Sequence, residues 1–416
     1  MSTIQFFNDF SLKVMATPHW KVMESTVEGT HWHREDNVAV HTIMCINEYF
    51  RLFSDKRSDR EQMIALIAIL FHDFGKPEAE ETKERKNEDG TPSGVTYHSY
   101  AGHEPVSANE MISFFCEHDD LREEFFAQGY GWNDLRSIKF MIEHHLPYAL
   151  EKPAKRIALR AAVAHTLGAD EVCFYDMLVS DCYGRISDDH DAKKAKVHEW
   201  IKDFTAIPVA ESDEKKRAMK GIKGLKPFAV SLTANGIEMD WTYEKRQPIL
   251  YVLHGISGAG KSTFIKKMPG HFNVFSEDDL RMKYAEANLD HTDLRAWSGM
   301  TRQEQYDAAW KFCAMSPDST FDKVVKAEWL KVLGEHQDIV LDRMNPTRKA
   351  RNTFIQSAKE RGYRVQSVEF YISEQEAKDR QKTRDDKRLP DFRVHQLYMQ
   401  METPWVGPEV DSFAIA

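Results

Sequence analysis

The sequence predicts two parts of different fold class: an N-terminal all-α helical bundle and a C-terminal α/β domain with a parallel sheet. From about residue 35 to 202, apolar residues recur at i, i+3, i+4 spacing in successive segments with few β-branched runs. From residue 248 onward, short apolar runs alternate with helical stretches, the pattern of strands joined by crossover helices. Between them "AESDEKKRAMKGIKGLKPF" (210–228) is polar and basic and marks the exit from the helical part. These observations place a first domain at 1–205, a linker at 206–247 and a second domain at 248–416.

The helical part reads in order as "NVAVHTIMCINEYFRLF", "REQMIALIAILFHDF", "EPVSANEMISFFCEH", "DLRSIKFMIEHH" and "VCFYDMLVSDCYGR". The stretch "PEAEETKERKNEDGTPSGVTY" (77–97) is charged and contains Gly and Pro, which predicts a mobile excursion between helices. In the second part "PILYVLHG" (248–255) predicts a buried strand that leads into a glycine loop and a helix. "NVFSEDD", "DIVLDRMN" and "RVQSVEFYI" predict three further strands.

Hydrophobic residues make up 42% and charged residues 29% of the chain, the balance of a globular protein with ordinary cores. No apolar run approaches the ~20 residues that span a bilayer, so no membrane partner is expected. The opening "MSTIQFFNDFSLKV" lacks a basic region before a pure apolar stretch, so no secretory leader is expected. Five scattered cysteines without a C-x-x-C fit a reducing cytoplasm. The formal charge of −10 argues against a protein that coats nucleic acid non-specifically, though not against a local basic groove for one nucleic-acid end.

The sharpest motif is "GISGAGKST" (255–263), which fits G-x-x-x-x-G-K-[ST] with Gly255, Gly260, Lys261 and Ser262. Its glycines let backbone N–H groups turn inward around phosphate oxygens, and the following helix adds its positive end. The cradle therefore takes in Ser257, Gly258, Ala259 and Thr263, with Lys261 reaching the β- and γ-phosphates and Ser262 helping to hold Mg²⁺. ATP and Mg²⁺ are the cofactors expected here.

Three further stretches bear on the acceptor. "FSEDDLR" sets Asp278, Asp279 and Arg281 at a strand's carboxyl end, where open α/β sheets bind ligands. A carboxylate there can take the proton of an attacking hydroxyl, and an arginine one turn on can hold the acceptor's phosphate. "IVLDRMNPTRKAR" ends another strand with Asp342, Arg343 and Asn345. "AKDRQKTRDDKRLP" carries Arg380, Arg384, Lys387 and Arg388 at near-helical spacing, as a lid over a triphosphate would.

With these motifs, residues 248–400 resemble the polynucleotide kinase family, whose members phosphorylate 5′-hydroxyl ends of RNA or DNA. The family's loop, its D-D-x-R, its strand-end D-x-x-N and its arginine lid closed by a proline match Gly255–Ser262, Asp278–Arg281, Asp342–Asn345 and Arg380/Arg384 before Pro390. The resemblance implies a P-loop kinase in which Asp278 is the general base, Arg281 grips the acceptor's 3′-neighbouring phosphate and Arg384 is the lid arginine on ATP. The D-R-M-N-P here departs from the longer D-T-N-x-N-P of phage-type kinases and is closer to the tRNA-ligase-associated form, so Arg343 and Asn345 carry no assigned role.

The first domain holds His41 in "AVHTIMCI", His72 and Asp73 in "LFHDFGK", His98 and His103 in "HSYAGHE", His144 and His145 in "IEHHLP", and Asp181 in "LVSDCYGR". A divalent ion needs several nitrogen and oxygen donors on rigid elements. Adjacent His72 and Asp73 lie ~100° apart on a helix, near enough to share one ion. Asp181 sits on an apolar helix, where a lone carboxylate is costly without a cation.

The order H…HD…H…H…D over residues 30–200 resembles the HD superfamily of metal-dependent phosphohydrolases. The resemblance implies that His41, His72, Asp73 and Asp181 hold a first metal, and that His103 and His144 serve a second metal or phosphate contacts. Lys76 and Arg185 become cationic partners of the scissile phosphate, while His33 and His145 are weaker candidates. Mn²⁺, Ni²⁺ and Co²⁺ all suit the donor set.

The two domains in this order resemble bifunctional end-healing enzymes. That resemblance implies a broken RNA as substrate, with a 2′,3′-cyclic phosphate opened by the first domain and a 5′-hydroxyl phosphorylated by the second. The first domain would also remove a terminal phosphomonoester. No K-x-D-G motif is present, so sealing is expected of a separate RNA ligase. The alternative is an HD nucleotidase fused to a kinase of small nucleotides or nucleosides.

Overall fold

The computed structural model describes residues 2–28, 34–87, 89–149, 152–187, 190–209, 247–289, 291–315 and 320–416. His33 and residues 210–246 of the expected linker lie outside the described residues. The chain divides into two units, Met1–Ala210 with Met399–Thr403, and Glu211–Tyr398 with Pro404–Ala416.

The first unit is helical, as the 3.6-residue periodicity predicts. Two helices precede the expected start, α1 (Thr3–Met15) and α2 (Pro18–Ser25). α1 buries Phe6, Phe7, Phe10 and Val14 along one stripe, so the aromatic-rich opening contributes to the core. Next come α3 (Val38–Phe53) and α4 (Asp59–Phe71), the latter started by a capping box between Ser58 and Glu61. Every residue of α4 from Met63 to Phe71 is buried, so this helix is the axis of the unit and its end delivers His72 and Asp73 to the interior. α3 and α9 (Glu171–Tyr183) pack on it, as does α7 (Trp132–Glu143). The remaining helices are α5 (His103–Glu117), α6 (Asp119–Ala127), α8 (Pro153–Leu167) and α10 (His190–Thr205).

The stretch 77–97, expected as a mobile excursion, instead forms most of an antiparallel hairpin of β1 (Glu81–Lys86) and β2 (Pro92–Ser99), paired from Glu81↔Ser99 to Lys86↔Pro92. Its turn is closed by Asn87 N donating to Thr91 O at 2.8 Å and by the Asp89 carboxylate accepting from Thr91 N at 2.9 Å. Both faces are largely exposed, so the strands carry no apolar alternation that a sequence pattern would register.

The second unit is an α/β domain, as expected. Its five strands, β3 (Ile249–His254), β4 (Asn273–Ser276), β5 (Ile339–Asp342), β6 (Arg364–Glu369) and β7 (Ser412–Ile415), run parallel in the order β4-β5-β3-β6-β7. The helices are α11 (Lys261–Lys267), α12 (Glu277–Asn288), α13 (His291–Gly299), α14 (Arg302–Ala314), α15 (Thr320–Gly334), α16 (Arg348–Glu360), α17 (Glu374–Lys382) and α18 (Asp391–Met399). Strand alternation divides the core in two. Leu250 and Val252 join Ile339, Leu341 and Val365 in one cluster, while Leu253, Val340 and Val368 form the other. β7 was not anticipated: it adds an edge strand beside β6. The loops after β3, β4 and β5 leave from the same carboxyl edge, which gathers the three motifs read from the sequence. No helix among the described residues is long and apolar enough to cross a membrane.

Candidate active sites

In the first unit, two close backbone approaches decide where the histidines go. A Cβ on Gly75 would lie 2.7 Å from the carbonyl carbon of Val106, so only glycine lets α5 sit against the turn after α4; Gly75 N donates to Ser107 Oγ at 2.9 Å. A Cβ on Gly184 would lie 2.7 Å from Cys45 N, so glycine again lets the end of α9 meet α3. The first approach brings His103 to Asp73, the second brings Asp181 to His41. The glycines of "HDFGK" and "DCYGR" are thus packing requirements of the site.

His41, Cys45, His72 and Asp181 form one buried group of donors, and Asp73, His103 and His145 form another. His41 Nε2 lies 3.2 Å from Asp181 Oδ1 and 3.4 Å from His72 Nε2. Asp73 faces both groups, with Oδ2 3.1 Å from His72 Nε2 and Oδ1 3.0 Å from His103 Nε2. Three rings are oriented by carbonyls: His72 Nδ1 by Ile69 O, His103 Nδ1 by Tyr100 O and His145 Nδ1 by Ile142 O, each at 2.7 Å. A carbonyl only accepts, so each Nδ1 carries the proton, and each ring presents a bare Nε2 only when it is neutral. His103 Nε2 and His145 Nε2 face each other at 3.1 Å. With both rings neutral, two lone pairs would meet there and a cation between them would be favoured; a carbonyl on the other nitrogen is how metal-ligating imidazoles are held. Burial, then His103 and His72, push the His145 pKa well below 6.5, which keeps the ring neutral. The donor set fits a divalent transition metal.

The charged partners are arranged around the same carboxylates. Burial favours the protonated acid at Asp73, but His72 and Lys76 outweigh it and hold its pKa well below the usual range. Lys76 Nζ lies 2.8 Å from Asp73 Oδ2 and also pairs with Glu28, both buried. Arg185 clasps Asp181, with Nε donating to Oδ1 at 3.1 Å and Nη2 to Oδ2 at 2.5 Å. Lys76 and Arg185, with His98, Tyr97, His103 and His145, line a cavity of about 380 Å³ beside the donors.

The structure sets His144 apart from the donors. Its Nδ1 is held by Phe140 O at 2.8 Å and its ring stacks on Phe140 at 4.5 Å, so it stands outside both groups, and the neighbouring His145 is the one that joins Asp73 and His103. They follow one another just past the end of α7 at Glu143, and the dipeptide alone does not resolve which ring turns inward. Cys45, Glu28 and the Tyr97 wall were missed. For Cys45 a signal existed: it lies four residues after His41, on the same face of α3.

In the second unit, the loop after β3 turns through Gly258 and Gly260, whose φ of +94° and +99° a side chain would strain. Lys261 Nζ donates to Gly255 O at 2.7 Å and Ile256 O at 2.8 Å, folded over the loop it serves. The lid meets the loop directly: Arg384 donates to Ser257 Oγ at 2.8 Å and Arg380 to Gly258 O at 2.9 Å. Ser257, Gly258, Gly260, Lys261, Ser262 and Thr263 line a cavity of about 640 Å³ with Arg380, Arg384 and Asp278. Gly255 and Ala259 do not line it. Gly255 lends its carbonyl to Lys261, and Ala259 packs against the Leu253–Val340–Val368 core. The arrangement fits a nucleoside triphosphate whose charge the loop, Lys261 and the two lid arginines share.

Arg281 departs from expectation. It is 5% exposed, donates to Asp278 Oδ1 at 2.7 Å and Glu277 Oε1 at 2.8 Å, and lies under the Trp310 ring. It therefore orients the candidate base, while Arg343, Arg388 and Arg393 line the cavity. Arg343 pairs with Glu277 at 2.7 Å, and Asn345, at φ +52°, donates to Leu253 O at 2.9 Å as a brace.

Residues 250–404 match the family described as an AAA domain. No curated protein matches the chain.

Proposed function

We propose that the protein heals both ends of a broken RNA: its kinase-type P-loop domain, for which ATP and Mg²⁺ are the implied cofactors, phosphorylates a 5′-hydroxyl end, and its helical unit hydrolyses a 2′,3′-cyclic phosphate or a terminal phosphomonoester. The observation that supports the reading is that one chain holds two clusters of different kinds. One presents bare imidazole nitrogens and carboxylates, the other a phosphate loop with a carboxylate in the same cavity.

In the kinase step, Asp278, held by Arg281, accepts the proton of the 5′-hydroxyl as its oxygen bonds to the γ-phosphorus of ATP and the bond to ADP breaks. Lys261 and Arg384 offset the charge that develops on the phosphoryl oxygens and the leaving group. Ser262 is the residue placed to hold Mg²⁺, which supplies charge neutralisation on the phosphates. In the helical unit, His41, His72, Asp73 and Asp181, with His103 and His145, would hold a divalent ion such as Mn²⁺, Ni²⁺ or Co²⁺, which supplies Lewis acidity and acidified water. Arg185 and Lys76 fix Asp181 and Asp73 and present positive charge to an anionic substrate in the adjoining cavity.

The test is incubation with an RNA bearing a 5′-hydroxyl and a 2′,3′-cyclic phosphate, reading both ends with and without ATP. Phosphate transfer to the 5′ end and metal-dependent loss of the cyclic phosphate are expected. Transfer to free nucleosides but to no oligonucleotide would replace this reading by a nucleoside kinase fused to a nucleotidase.

A further inference from the structure

The kinase cavity extends beyond the loop and lid to an aromatic wall made by Tyr306 and Trp310, one turn apart on α14. Trp310 is 46% exposed, unusual for the largest apolar side chain, yet it is not loose. The Arg281 guanidinium lies 3.7 Å from its ring centroid and 5.1 Å from that of Phe321. α14 itself is fixed by the Thr301–Glu304 capping box, and Gln303 Oε1 accepts from Arg388 N of the lid segment at 2.7 Å. A rigid indole facing a cavity has one ring face already engaged by a cation, and it offers a preformed stacking surface at low entropic cost.

Its position says which ligand it serves. Arg281 bonds to Trp310 through the ring and to Asp278 through a 2.7 Å hydrogen bond, so the indole stands one side chain away from the candidate general base. The hydroxyl that loses its proton must meet Asp278, and the base attached to that nucleotide must lie beside it. We propose that Trp310 is the platform on which the base of the acceptor's 5′-terminal nucleotide stacks, with Arg388 and Arg393 of the same cavity following the phosphates of the strand. This rests on the polynucleotide reading above and makes that site selective for a nucleic-acid end irrespective of base identity, since every base has a π-face.

The test uses the full chain, Trp310→Ala and Trp310→Phe, with 5′-hydroxyl oligonucleotides whose terminal nucleotide is normal or abasic. For the normal oligonucleotide, W310A is expected to raise KM about tenfold, with W310F recovering most of the loss. Removing the terminal base should cost the parent protein a similar factor and cost W310A almost nothing, because both changes remove one interaction. The KM for ATP should move less than about twofold. A W310A effect that falls on kcat alone, or one equally large with the abasic end, would show that the indole merely props Arg281. A rise in KM for ATP instead would place the donor's adenine on the ring. If the parent protein phosphorylates no oligonucleotide, the polynucleotide reading fails first; if it does and W310A is unaltered, only the role of Trp310 fails.

Discussion

Asp73 Oδ1 lies 3.0 Å from His103 Nε2, and this pair joins the two donor groups of the helical unit through one carboxylate. The other oxygen of Asp73 faces His72 and Lys76, so the side chain meets three partners at once.

Asp73→Asn keeps the size of the side chain and removes its charge. Bound transition metal, measured by mass spectrometry after dialysis, should fall, and phosphoesterase activity should drop at least about a hundredfold. ATP-dependent 5′ phosphorylation should stay within about twofold. Equal loss of both activities would contradict separate sites.

Lys261→Met should give the opposite pattern, with kinase activity lost by at least about a hundredfold because charge in the transition state goes unmatched. Phosphoesterase activity and metal content should be unchanged.

The pH dependence of ATP binding follows from the same lysine. Burial lowers the Lys261 pKa to about 8, against the opposing pull of Asp342. Below about pH 7 the ammonium is already present to meet the triphosphate. Above about pH 8 the free protein carries a neutral amine that must gain a proton on binding, so affinity should weaken by up to about tenfold per pH unit. Calorimetry in buffers of different ionisation heat should find proton uptake rising toward about one per ATP by about pH 9. Uptake that stays flat across this range would rule out Lys261 as the titrating group.

Gly75→Ala and Gly184→Ala place a methyl group against backbone, at 2.7 Å from Val106 C and from Cys45 N. Neither contact involves a flexible side-chain end, so helices must move apart, and a loss of about 1–3 kcal/mol in urea unfolding is expected. Phosphoesterase activity should fall further than stability alone requires, since G75A shifts His103 from Asp73 and G184A shifts Asp181 from His41. Variants as stable and active as the parent protein would sink the close-approach argument.

Much of this protein was determined by contiguous sequence. The strand, loop and helix around Gly255–Thr263 are adjacent in the chain, and their chemistry is that of local backbone geometry, so one short contiguous window carries it. The α/β alternation and the helical periodicity are likewise local, and both predicted fold classes appear in the structure. Other features depended on which faces meet. His144 and His145 follow the last residue of α7, and only their tertiary contacts show that His145 meets His103 while His144 stacks on Phe140. Arg281 sits at the spacing expected of a phosphate grip, yet Trp310, 29 positions later in the numbering, covers it and leaves it to orient Asp278. The hairpin at 81–99 buries too little apolar surface to leave a period-2 signal, and β7 is defined by pairing with β6. Local pattern fixed which residue types were available for chemistry; long-range packing fixed which of their atoms converge.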